Sequence, residues 1–283
     1  MVTQTNDDVR LDAWLTGSHE SEGAPCVEPR ASIAAYSWDE LKSIARKIAA
    51  ASCRMEGLTI ERTYCPVDDG FRLNGDTKGV VLEDGTTAKV RILGLCHDEL
   101  ADGSGRAGIS FEFADVPTVR RMNADWTNEG GWHESEMRDW LTSVFWDMLP
   151  QDLSSNIVEV ENKTHYAEWG APRGPELHVT GTFDRLWLLS MAEVYGRLSV
   201  RRRNVPPYAA TYDAEGTQYQ LYSDHDVSVD NYEFCEKRGA NSLWWLRSPV
   251  AYDSRWFRLA LSDGIWSALY ADYDGGVSPG FCF

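Results

Sequence analysis

Long apolar runs are absent from this sequence. No stretch of its 283 residues approaches the roughly 18 to 20 apolar residues that a membrane-spanning helix needs, so membrane insertion is not expected. The first residues, MVTQTNDDVRLDAW, hold no basic region followed by an apolar core, and so no ordinary secretory signal. Basic residues are scarce: 27 Lys and Arg stand against 44 Asp and Glu, a formal charge of −17. That field repels phosphate backbones and anionic lipid, which argues against a nucleic-acid partner. The one basic run, Arg201-Arg202-Arg203, reads as a solvated loop. Cysteine is sparse too. Cys26, Cys53, Cys65, Cys96, Cys235 and Cys282 include no CxxC pair and are too few for a disulfide scaffold of this length, so they are expected to be mostly reduced and buried. Cys96-His97 alone does not make a tetrahedral zinc site, and neither a metal nor another cofactor is expected. Internal repeats and coiled-coil heptads are also missing, which removes solenoids and leaves the oligomeric state unassigned.

What the chain does have is aromatic weight, with 12 Trp, 12 Tyr and 9 Phe, enough to build a large packed core. Residues 1–30 are acidic, carry scattered Gly, Ser and Pro, and show no hydrophobic period, so they read as a flexible tail before a domain over 31–283. Ser37 and Glu40 have capping-box spacing, and Leu41, Ile44, Ala45 and Ile48 follow on one face, so a helix is expected from Ser37 to about Ser52. Asp84-Gly85 between two alternating segments reads as a hairpin, and Ile109–Val116 as a further strand. Trp132, Met137, Trp140, Leu141, Val144, Phe145 and Met148 fit one helix ended by Pro150. ELHVTGTF and RLWLLSMAEVYG read as strands, whereas 197–239 shows no regular period.

Two strings near the C-terminus carry a more specific signal: Leu243-Trp244-Trp245-Leu246-Arg247-Ser248-Pro249 and Gly276-Val277-Ser278-Pro279-Gly280-Phe281. With SWDEL, ILGLCHDELADGSGRAGISFEF, GGWHESEMRDWL, LWLLSMAEVYG and EGTQY upstream, they resemble a family of bacterial and prophage domains of unknown function with a C-type-lectin-like fold. The resemblance covers roughly residues 36–283 and implies an α+β, C-type-lectin-like fold with an irregular, aromatic-rich C-terminal half. Some members of that family are variable proteins of diversity-generating retroelements, in which adenines of a template are randomised and the product replaces the 3′ end of the target gene. The resemblance therefore implies a ligand-binding variable protein and not an enzyme. Its location would be cytoplasmic or on a phage virion, with surface display by another route also open.

One further absence bears on this. Asn codons ending in a pyrimidine, randomised at both adenines, never yield Lys, Glu, Gln, Met or Trp. After Lys237 the chain contains no Lys, Glu, Gln or Met. A buried β-rich C-terminus disfavours Lys, Glu and Gln as well, so composition leaves both readings open. Trp256 and Trp266 cannot come from such codons; they are fixed scaffold or they count against the scheme. Within a variable region at 250–275 the candidate contact residues are Tyr252, Asp253, Arg255, Leu259, Ser262, Ile265, Ser267, Ala268, Leu269, Tyr270, Asp272, Tyr273 and Asp274. Tyrosine offers large amphipathic contact area at low entropic cost, which makes Tyr252, Tyr270 and Tyr273 the expected hot spots for an unidentified protein or cell-surface ligand. Trp244, Trp245, Leu246, Pro249, Phe257, Val277, Pro279 and Phe281 read as scaffold, with Arg247 pinning the loop through a buried carboxylate.

Three other functions compete. A fixed-specificity phage-tail or surface adhesin would use the same face. A formylglycine-generating type of enzyme would need a reactive thiol pair, for which Cys235 and Cys282 are the nearest candidates. Glu134 with Glu136, or Asp224 and Asp226 around His225, would be the carboxylates for acid–base work. The Glu-Pro-Asn, Gln-Pro-Asp and Trp-Asn-Asp motifs of calcium-dependent lectins are absent.

Overall fold

The computed structural model describes residues 27, 30, 32–50, 76–169, 176–198, 209–241 and 243–283. Most of the acidic lead, Cys26, Cys53, Cys65 and Arg201-Arg202-Arg203 lie outside them. Helix α1 spans Trp38–Ala50. Its capping box closes as the spacing predicts: Ser37 Oγ accepts the Glu40 amide at 3.1 Å and Glu40 Oε2 accepts the Ser37 amide at 2.7 Å. Leu41, Ile44, Ala45 and Ile48 are its buried face. Of the expected flexible tail, Val27 is buried and Arg30 pairs with Glu40, so this end of the lead is held to the body.

Strands β1 (Lys78–Val81) and β2 (Thr87–Leu95) form the expected hairpin around Asp84-Gly85. β2 pairs with β3 (Ile109–Phe113), and β3 with β11 (Gly280–Cys282), giving a four-stranded antiparallel sheet. Early and late parts of the chain therefore share one core, where Phe111 stacks on Phe281 at 5.1 Å. Helix α1 sits so close to this sheet that a Cβ on Gly108 would lie 1.8 Å from the Ala45 carbonyl oxygen, an approach only glycine permits.

The second sheet has the order β4-β10-β7-β8-β9, from Thr118–Arg120, Gly275–Val277, Trp244–Pro249, Trp256–Ala260 and Trp266–Tyr270. Only the β10–β7 pair is parallel. A third element, the hairpin of β5 (Val160–Glu168) and β6 (Glu176–Asp184), stands alone as a two-stranded sheet. The chain is thus mixed α+β and dominated by sheets. No helix among the described residues is long and apolar enough to cross a membrane.

Three expectations need correction. The helix expected from Trp132 begins at Glu136, because Ser135 Oγ accepts the Arg138 amide there. That helix, α2 (Glu136–Trp140), runs on through a π-helical turn over Leu141–Phe145 to Met148, and Pro150 starts a further turn, α3 (Gln151–Ser154). RLWLLSMAEVYG is no strand: buried irregular backbone leads into α4 (Met191–Tyr195), which the Ser190–Glu193 capping box sets. A continuous apolar run cannot be told from other buried backbone by period alone. Finally, the C-terminal segment is not irregular, since five strands occupy 244–282; the irregular stretch lies before it, with short helices α5 (Ala209–Asp213) and α6 (Gln220–Asp224).

Candidate ligand-binding face

The face rests on a frame centred on Arg247 in β7. Its guanidinium is fully buried and grips the Glu193 carboxylate with two bonds of 2.5 Å. It also donates to the Leu188 carbonyl (2.9 Å), Thr164 Oγ1 (3.0 Å) and the Lys163 and Glu215 carbonyls. Burial alone would lower the Arg247 pKa, but the Glu193 charge outweighs it and raises it. Next to it, Glu215 accepts Ser248 Oγ and lies 2.7 Å from His165 Nδ1. One polar cluster thus joins β5, β7 and α4. Trp244, Trp245, Leu246, Pro249, Phe257, Val277, Pro279 and Phe281 are all buried around this frame.

Other buried carboxylates are matched in the same way. Glu112 receives Lys237 (2.5 Å), Arg91 (2.7 Å) and the Tyr222 hydroxyl (2.9 Å). Asp184 receives Trp132 Nε1, Arg138, Asn162 and Thr182. Asp98 receives Tyr219 (2.8 Å), Ser110 and Cys282, with His97 Nδ1 at 3.1 Å. Burial would raise the Asp98 pKa, yet His97 and these donors hold it at about 2.

On this frame β8 and β9 pair in the register Trp256–Tyr270, Phe257–Leu269, Arg258–Ala268, Leu259–Ser267 and Ala260–Trp266. Paired residues share a face. Phe257 and Leu259 point into the core, and Trp256, Arg258 and Ala260 point the other way. Arg258 donates to the Tyr212 hydroxyl at 3.0 and 2.9 Å, and its guanidinium lies 5.1 Å from the Trp266 ring and 5.7 Å from the Tyr252 ring. Burial pushes the Tyr212 hydroxyl up to about 12, so it stays protonated. The β8–β9 turn is fixed by Gly264 (φ +83°), where a Cβ would meet the Tyr232 carbonyl oxygen at 2.1 Å. Tyr195 Oη also donates to the Gly264 carbonyl at 2.7 Å.

Among the expected contact residues, Tyr252, Ser262, Tyr270, Asp272, Tyr273 and Asp274 are exposed, with Tyr252 at 50%, Tyr270 at 37% and Tyr273 at 57%. Asp253, Arg255, Ile265, Ser267, Ala268 and Leu269 are half-buried. Leu259 is wholly buried and belongs to the core side. Asp253 and Arg255 bind each other, at 2.8 and 2.6 Å.

Sequence reasoning passed over the loop beside this face. Trp126 is 58% exposed, and its ring lies 6.4 Å from Tyr270. The Arg255 guanidinium lies over both rings, 5.9 Å from Trp126 and 5.6 Å from Tyr270. Asn128 is the clasp: its Nδ2 donates to the carbonyls of Val250, Asp253 and Trp256, while its amide donates to the Ser254 carbonyl at 2.7 Å. The Asn123 amide donates to the Ala271 carbonyl at 3.0 Å. An isolated Trp between two Asn residues, NADWTN, was the available signal.

Cys96, Cys235 and Cys282 are free thiols; burial pushes Cys235 up to about 12 and Cys282 well above its ordinary value, so neither is a thiolate at neutral pH. Glu136 Oε1 accepts the Ala124 amide at 3.0 Å, and the His225 ring stacks on Phe234 at 3.7 Å.

Fold and site together define a sheet-rich α+β domain whose C-terminal segment builds a buttressed, solvent-facing aromatic surface. A family model described as a domain of unknown function, DUF6273, matches residues 108–283, and the chain belongs to that family. No curated protein and no solved structure matches the chain.

Proposed function

We propose that this chain is a ligand-binding variable protein of a diversity-generating retroelement, with a C-type-lectin-like scaffold that displays changeable residues to a protein or cell-surface receptor. The observation that carries the reading is a coincidence of two independent divisions. Of the thirteen candidate variable residues six are exposed, six are half-buried with Leu269 against the core, and only Leu259 is wholly buried, while Trp244, Trp245, Arg247, Pro249 and Phe281 are all buried. A surface that changes while its support stays constant needs that separation. Exposed Tyr with interspersed Ser and Asp is also the composition of adaptable protein-binding surfaces.

A fixed-specificity adhesin of a phage tail or cell surface would use the same face without the variation. Sequencing the coding DNA from codon 240 onward across a population of the source organism, with the adjoining few kilobases, separates the two. Variation concentrated at the exposed codons, beside an adenine-rich near-copy and a reverse-transcriptase gene, is the expected result. An invariant segment with no template overturns diversification and leaves the fixed binder.

A further inference from the structure

Resting on the reading of β8–β9 as a binding face, we propose that the partner presents a cationic polypeptide segment, and that Trp126 is its constant anchor. Three observations converge on this. The first is pre-organisation: Asn123 and Asn128 tie the 123–128 loop to Ala271 and to the 250–256 backbone, so an exposed indole is held beside Tyr270 and not left on a loose loop. Large aromatic side chains fixed before binding are the usual source of affinity in such surfaces. The second is that the aromatic corner already accepts a cation, the chain's own Arg255 over Trp126 and Tyr270. The exposed outer surface of the same rings offers a second cation the same quadrupole attraction.

The third is charge. Arg255 is matched by Asp253, and Arg258 is buried against Tyr212. The exposed acids Asp125, Asp272 and Asp274 make no ion pair among the described residues. Against these three acids stands one exposed arginine, Arg121, beside the same loop, so the face is aromatic and net acidic on a chain of charge −17, complementary to Lys- and Arg-bearing surfaces. Trp126 and Asp125 also lie outside the variable region 250–275. As constant residues they would supply affinity for one chemical class, while the tyrosines and aspartates of 250–275 set which member is taken.

The test uses the full chain and fluorescently labelled eight-residue peptides of arginine, lysine or glutamate, read by anisotropy at low and near-physiological salt. The expected result is binding of the arginine peptide above the lysine peptide, none of the glutamate peptide, and a loss of roughly tenfold in Trp126→Ala. Trp126→Phe should recover part of that loss, and Glu83→Gln/Asp84→Asn on the β1–β2 turn should change nothing. Equal binding by wild type and Trp126→Ala would reduce the effect to the overall field and overturn the anchor. No binding of either basic peptide overturns the cationic partner. Variation at the exposed codons combined with no peptide binding would keep the binding face and reject only this inference.

Discussion

Two arginines eight residues apart, with opposite surroundings, show how this molecule separates support from display: Arg247 in the frame and Arg255 on the face. Arg247 is fully buried, and its acceptors come from segments 32 to 84 residues away in the chain. Arg255 is partly exposed, and its carboxylate, Asp253, is two residues away. A non-local, desolvated cluster couples many segments, so no member changes alone. A local, solvated pair can be rewritten together without disturbing what lies beneath. The difference is between specificity of fold and freedom of surface.

The largest effect that would break this comparison lies in the frame. Arg247→Met leaves the Glu193 carboxylate buried without its charge partner, and the expected loss is about 3–5 kcal/mol by urea denaturation. A loss under about 1 kcal/mol would mean the cluster is not what supports the sheet. Next comes the junction between frame and face. Gly264→Ala places a side chain at φ +83° against the Tyr232 carbonyl, and about 1–3 kcal/mol is expected, read the same way. An unchanged midpoint would show that the β8–β9 turn is free to shift.

A smaller, pH-dependent effect belongs to His97. Burial would lower its pKa, but Asp98 outweighs burial and raises it above its ordinary 6.5. Its stabilisation is therefore complete below the unfolded value and lost as pH rises through the raised one. The melting-temperature gap between wild type and His97→Gln should be wider at about pH 5.5 than at about pH 8. Asp98 has the opposite sign: its contribution is present above 3.8 and lost as pH falls toward about 2. A gap that is constant with pH would remove the ion pair from the frame.

The smallest effects are expected on the face itself. Tyr270→Ala removes the edge-to-face contact with Trp256 at 5.5 Å and should cost about 0.5–1.5 kcal/mol. Tyr273→Ala should stay within about 0.5 kcal/mol of wild type. Losses approaching that of Arg247→Met would make these tyrosines core residues.

What was legible in the sequence was local. The Ser37–Glu40 capping box and the Asp84-Gly85 hairpin are decided by neighbours within a few residues, and both formed as read. That Arg247 would need a buried carboxylate also followed from one charge in an apolar string, though which carboxylate did not, since Glu193 lies 54 residues away. The role of Asn128 was illegible for the same reason: its three carbonyl acceptors lie 122 to 128 residues on. The segment Ser267–Tyr270 carries no strand period in the sequence because β9 is an edge strand with half-buried residues on both faces. Trp126 offers only the weak signal of its NADWTN surroundings, because an exposed Trp otherwise looks no different in sequence from a buried one.

The most direct test is saturation substitution of residues 244–283, with Trp126 and Asn128 added, read by protease resistance of the displayed protein. The expected map tolerates nearly every residue at Tyr252, Ser262, Asp272, Tyr273 and Asp274, and almost none at Trp244, Trp245, Arg247, Leu259 and Asn128. Equal sensitivity at both sets would contradict the separation of frame from face.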